Sequence, residues 1–162
     1  MGDQRARLNV DCFNPFLSST LKVFRTMASC ELTRGAPFLM QGAQPIYEVS
    51  GIIGLTGKAI GTVALSLERQ VALGVTGAIL GETPSDVSND VVDTVGELTN
   101  ITAGGAKAQL EKYEMSVSLP SVIIGRNHTL AFPQDVTPIG IPFECHWGRI
   151  CVQVGLCENT AV

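Results

Sequence analysis

The residues from Ser88 to Lys112 constrain this chain most, because apolar and polar positions there separate at helical period. Val91, Val92, Val95, Leu98 and Ile101 recur on one side, enough to seat a helix on a core. Asp93, Glu97 and Asn100 fall at i, i+4 and i+7 and project together from another side. A helix seated by its valines therefore presents an acid and a carboxamide, one turn apart, to the outside. Asn competes with the helix for backbone hydrogen bonds, and Gly96, Gly104 and Gly105 weaken it further. The segment thus breaks local preference around its polar face, which is where functional sites are expected. Spacing alone leaves a second reading open, an ordinary solvated face continued by Lys107 and Glu111.

The rest of the chain supplies what such a helix would pack on. Asn14-Pro15 predicts a helix start, with Asn as the cap and Pro at the first helical position. Phe16, Leu17, Leu21, Phe24 and Met27 carry that helix to about Cys30. Phe38 to Met40 predicts a short strand. Ile46 to Gly54 and Ala59 to Leu67 predict an antiparallel hairpin turning at Thr56-Gly57. Val71, Val75 and Ile79 predict a helix ending at Gly81, and Ser85 or Ser88 is placed to cap the next one, with Asp86 and Asp90 at its positive end. Beyond Lys112, alternating Met115, Val117 and Leu119, then 122–124, 129–132, 140–143 and 150–156 predict strands. Helices followed by a run of strands predict an α+β domain with an antiparallel β-sheet packed with long helices. At 162 residues, one domain over about 8–157 is expected, with flexible termini at 1–7 and 158–162.

Several functions are excluded early. Net charge is −4 and the 11 Lys and Arg are scattered, so no basic stripe exists to hold nucleic acid. No apolar run reaches the roughly 18 residues of a membrane helix. The first residues lack an apolar secretory core, and Ala6 stands where a myristoylation signal wants Ser or Thr, so a cytoplasmic protein is expected. The five cysteines form no disulfide framework, and reduced thiols are expected. Cys145, Cys151 and Cys157 are spaced at even intervals, which on one extended strand spreads them too far for a tetrahedral metal. No G-x-S-x-G elbow is present, and the glycines at 51, 54, 57 and 61 lack the lysine of a phosphate loop.

The wording Asp93-x-x-x-Glu97-x-x-Asn100, with Pro120 about twenty residues on, resembles the D/S-x3-E-x2-N motif of the CheC/CheX/FliY family. That family comprises phosphatases of the phosphorylated chemotaxis response regulator CheY. NPFLSSTLKVF, SGIIGLTGKAIGTVALSLE and IPFECHWGRICVQVGL are similar to corresponding parts of CheX-like domains, so the resemblance spans about Leu8 to Leu156. CheC-type members carry the motif on two helices. Here the first helix has no Glu followed three residues later by Asn, which matches the single-motif CheX branch, a homodimer joined through its β-sheets.

The resemblance implies hydrolysis of the aspartyl phosphate on a CheY-like receiver. It implies Asn100 as the residue that orients water and Glu97 as the docking contact to the receiver's Lys. Asp93, Gly104 and Pro120 become partner-binding positions; Gly104 is also read as a glycine for packing on the sheet. No cofactor of its own is implied, since Mg comes with the receiver. The alternative is a non-catalytic adaptor that keeps the fold and binds a receiver.

Overall fold

Three helices cover one face of a single antiparallel sheet in the computed structural model, which describes residues 12–161. The helices are α1 (Asn14–Ala28), α2 (Arg69–Leu80) and α3 (Asn89–Gln109). The strands are β1 (Thr33–Arg34), β2 (Phe38–Leu39), β3 (Val49–Thr56), β4 (Ala59–Leu67), β5 (Ser116–Val117), β6 (Ser121–Ile124), β7 (Ile139–Cys145) and β8 (Gly148–Glu158). Their order is β1-β7-β8-β4-β3-β5; β2 shares β7 with β1, and β6 shares β3 with β5. The expected α+β architecture is the one observed.

Alternation along the central strands sorts their side chains between two faces. Val49, Ile53, Leu55, Val63, Leu65, Leu67, Ile150, Val152, Val154 and Leu156 all join one buried cluster with Phe16, Phe24, Val71, Val75, Val91, Val95 and Leu98. The registers Ile53↔Val63 and Val63↔Val154 align these rows across three strands. The second face is held differently. Ser50 and Ser66 hydroxyls bond at 3.0 Å, Ser66 Oγ accepts from Tyr47 N–H at 2.7 Å, and Gln153 Nε2 donates to the Gln44 carbonyl at 3.1 Å. Every one of these buried polar side chains has a partner, as low polarity around them demands.

Four expectations need correction. Residues 129–132 form no strand; they cross the second face, with a single ladder-like bond from Leu130 N–H to the Ala43 carbonyl at 2.6 Å. Phe132 there fills the place of the missing side chain at Gly155, where a Cβ would lie 2.6 Å from the ring. Asn14 is not a cap: Phe13 holds that position, and no side chain caps the helix. Ser88 does precede α3, but its hydroxyl makes no capping bond either, and α3 stops at Gln109 before a 3₁₀ turn at Glu111–Tyr113. Finally, Cys145 and Cys151 sit on different strands, because β7 and β8 turn back at Cys145↔Gly148. Four of the five cysteines are buried and Cys145 is half-buried. Burial raises the Cys151 thiol to about 12.

The β7–β8 turn also locks α2 in place. Trp147 lies over Gly74, where a Cβ would be 2.5 Å from the indole. Arg149 Nε donates to Glu68 Oε1 at 2.6 Å just before α2 begins.

Candidate functional site

Helix α3 is held on two sides by contacts that only small residues allow. On the sheet side, a Cβ on Gly51 of β3 would stand 1.9 Å from Thr99 Oγ1 and 3.2 Å from the Val95 carbonyl. Glycine at 51 therefore lets α3 settle directly on the strand, while the Thr99 hydroxyl turns back to the Val95 carbonyl at 2.7 Å. On the α1 side, Ser19 Oγ donates to the Thr102 carbonyl at 2.8 Å, and a Cβ on Gly105 would lie 2.3 Å from that hydroxyl oxygen.

The remaining side faces out. Asp93 and Glu97 are exposed, and Asn100 and Gly104 are half-buried in the same line. Around Gly104 the space is open, with nothing within 4 Å of a notional Cβ. Close packing thus belongs to Gly105, and Gly104 leaves a shallow depression one turn beyond Asn100. Among the described residues, none pairs with or hydrogen-bonds to the side chains of Asp93, Glu97 or Asn100. The nearby acids before the helix are differently placed. Arg69 binds both Asp86 and Glu48, the latter at 3.3 Å. The Val87 N–H and the Arg69 guanidinium together hold the Asp86 carboxyl below its ordinary range.

Pro120 comes against this helix. Its Cγ lies 3.7 Å from the Cβ position of Gly96, the residue before Glu97. A bulge in the sheet edge puts it there. β6 pairs with β3 as far as Ile52↔Ser121, and β5 resumes at Leu55↔Val117. Between those pairs, Ser118, Leu119 and Pro120 oppose only Ile53 and Gly54, one residue too many for a regular ladder. Ser118 bonds both ways to Gly54, N–H to carbonyl at 2.9 Å and Oγ from N–H at 2.9 Å. Pro120 has no N–H to leave unpaired.

The bulge overturns the even alternation expected of Met115, Val117 and Leu119. Met115 is buried, Val117 is half-buried, and Leu119 is 89% exposed. Leu119 is the residue that pattern reading missed, and Pro120 directly after it is the signal that strand pairing fails there. As for metals, no group of three or more His, Cys, Asp or Glu among the described residues is arranged to hold an ion. Among the same residues, no helix is long and apolar enough to cross a membrane.

Comparison with known proteins fits this geometry. Residues 49–144, which contain β3, the whole of α3 and Pro120, match the family model described as chemotaxis phosphatase CheX. The chain belongs to the CheX family. A CheC-like superfamily protein from a Shewanella species is 38% identical, with a TM-score of 0.83 over 92% of this chain and 99% of its own. The CheX of a CheX–CheY–BeF3–Mg complex from Borrelia burgdorferi is 25% identical, with a TM-score of 0.79 over 93% of this chain and 100% of that one. The CheY-P phosphatase CheX of Thermotoga maritima is 26% identical over 117 residues, 70% of this chain and 76% of that protein.

Proposed function

We propose that this chain is a phosphatase that hydrolyses the aspartyl phosphate of a CheY-like response regulator, with Asn100 and Glu97 at the reacting end of the contact. The observation that carries the reading is the unengaged acid and carboxamide on a helix immobilised from both other sides. Such a helix presents its groups at fixed spacing, so little ordering remains to be done when a partner docks.

The chemistry asks for little else. In-line attack by water on the phosphoryl group forms one P–O bond and breaks the bond to the aspartyl oxygen. The carboxylate leaves, and the water proton passes to the released phosphate or to solvent. Phosphoryl transfer of this kind depends on positioning and electrostatics. The Asn100 carboxamide both donates and accepts, so it holds a water in line without titrating. Glu97, one turn earlier, fits a lysine on the receiver through a charge-assisted bond. Asp93 lies at the rim, and the open space at Gly104 admits partner backbone.

In the Borrelia complex, BeF3 stands in for the phosphoryl group, and Mg accompanies the CheX–CheY pair. That composition supports a divalent ion that comes with the receiver. An adaptor would keep the fold without needing both Glu97 and Asn100, and the presence of both favours the enzyme. The sheet ends in short strands, the exposed β1 and β2 on one side and the partly buried β5 and β6 on the other. The β1–β2 edge, on the side away from α3, is a surface a protein covers, which supports a homodimer joined through sheets with α3 left free.

The test is to time phosphate loss from a phosphorylated receiver of the same organism with and without this protein. Acceleration is expected, and Asn100→Ala should lose about 100-fold or more of it while keeping the wild-type melting midpoint. Wild-type rates in the Asn100→Ala variant would overturn the assignment.

A further inference from the structure

We infer that Leu119 is an apolar docking contact for the receiver, seated beside Glu97 and Asn100 by the bulge in the sheet edge; the inference rests on the function proposed above. Large apolar side chains exposed elsewhere include Leu39 at 67%, Leu80 at 55%, Ile124 at 44% and Phe38 at 40%, against 89% for Leu119. Leu119 stands out further because its backbone is fixed. Ser118 is bonded twice to Gly54 on one side, and Pro120 is packed toward Gly96 on the other.

The direction of the strand decides which part of α3 Leu119 accompanies. Gly51 of β3 lies under Val95 and Thr99, and the far end of the β3–β4 hairpin meets the chain just after α3, where Lys58 N–H donates to the Tyr113 carbonyl at 2.8 Å. Helix α3 and β3 therefore run the same way. The step from Pro120 back to Leu119 follows β3 toward Leu55, and so moves from the level of Gly96 toward that of Asn100. The backbone of Leu119 thus stands level with the row of acids and a carboxamide on α3.

A partner that fits this surface carries a lysine for Glu97 and, next to it, an apolar recess for Leu119. A receiver that offers both is selected over one that offers the lysine alone. Leucine on a fixed backbone has few rotamers to lose on binding, so its burial converts well into affinity. The contact is continuous with the candidate active face, and its role is to choose and hold the receiver rather than to touch the reacting atoms.

The experiment compares wild type with Leu119→Ala, Leu119→Asp and Leu119→Met on a phosphorylated receiver. Binding of the beryllofluoride-loaded receiver and the oligomeric state are measured alongside. Leu119→Ala should raise KM about tenfold and Leu119→Asp more, with kcat at saturation within about twofold of wild type, and Leu119→Met should restore most of the loss. Unchanged KM and affinity in the Ala and Asp variants would overturn the inference, as would loss of self-association with KM intact, which would assign Leu119 to a contact between copies. A wild type that fails to hydrolyse, but whose receiver affinity still falls on Leu119→Asp, would overturn the phosphatase reading alone.

Discussion

Helices α1 and α3 pack against each other through Ser19 and Gly105, yet they meet the core in opposite ways. Helix α1 drives in large side chains, with Phe16 and Phe24 fully buried. Helix α3 comes close by having little in the way: Thr94, Gly96, Thr99, Thr102, Ala103 and Ala106 are its buried positions beside Val91, Val95 and Leu98. Their outer faces differ as well. Arg25 of α1 is engaged with Glu31 at 2.7 Å, and Ser18 bonds to the Pro15 carbonyl and to Gln109. The acid and carboxamide of α3 have no such local employment among the described residues. One helix engages its outer polar groups within the fold, and the other holds an acid and a carboxamide out from a backbone closely packed on two sides. A close seat combined with unengaged polar groups is what singles out the outer side of α3 as the candidate face.

This contrast can be broken at its base. Gly51→Val should destabilise the protein by about 3 kcal/mol, because the new side chain collides with Thr99 and α3 must lift from β3. Chemical denaturation would register it, and a change under about 1 kcal/mol would mean that the close seating matters little. Glu97→Lys comes next: KM for the phosphorylated receiver should rise about tenfold or more, with the melting midpoint unmoved. An unchanged KM would remove Glu97 from docking.

A smaller effect sharpens the comparison between neighbouring glycines. Gly104→Ala should stabilise the helix by roughly 0.5–1 kcal/mol, since open space surrounds it. Gly105→Ala should cost stability instead, because its Cβ meets Ser19 Oγ. Equal and stabilising outcomes would show that α1 and α3 are not in close contact there. Smallest of all, Arg25→Ala on α1 should leave activity and melting midpoint unchanged within error, as an exposed ion pair contributes little. A clear loss of dephosphorylation in that variant would place α1 in the receiver contact.

Periodicity carried most of the fold into view. The hairpin, both early helices and the last strand are strongly patterned, and each lies within a few residues of where its apolar residues predicted, β3 starting at Val49 rather than Ile46 and α1 ending at Ala28 rather than Cys30. The order Asp93, Glu97, Asn100 was legible for the same reason, since helical spacing fixes which side chains share a face. Three things were not. Strand β1 is only Thr33–Arg34, too short for any period, and exists because β7 offers it a partner. Residues 129–132 have a strand's composition, but they lie across the second face of the sheet and lack a ladder to join. The exposure of Leu119 depends on register, since one extra residue between two paired segments reverses which side chains point inward. Local pattern reports what a segment prefers; pairing partners decide what it gets.

Trp147 gives the molecule a built-in optical gauge. It is the chain's one tryptophan, and the β7–β8 turn presses its indole against α2 at Gly74. Intrinsic fluorescence excited at the indole band therefore reports the joint between sheet and α2, shifting to longer wavelength as that joint opens to water. The gauge packs against a different helix from the one that carries Asp93, Glu97 and Asn100. Loss of fold and loss of contact at the candidate face can thus be read as separate signals in one cuvette, without attaching a dye.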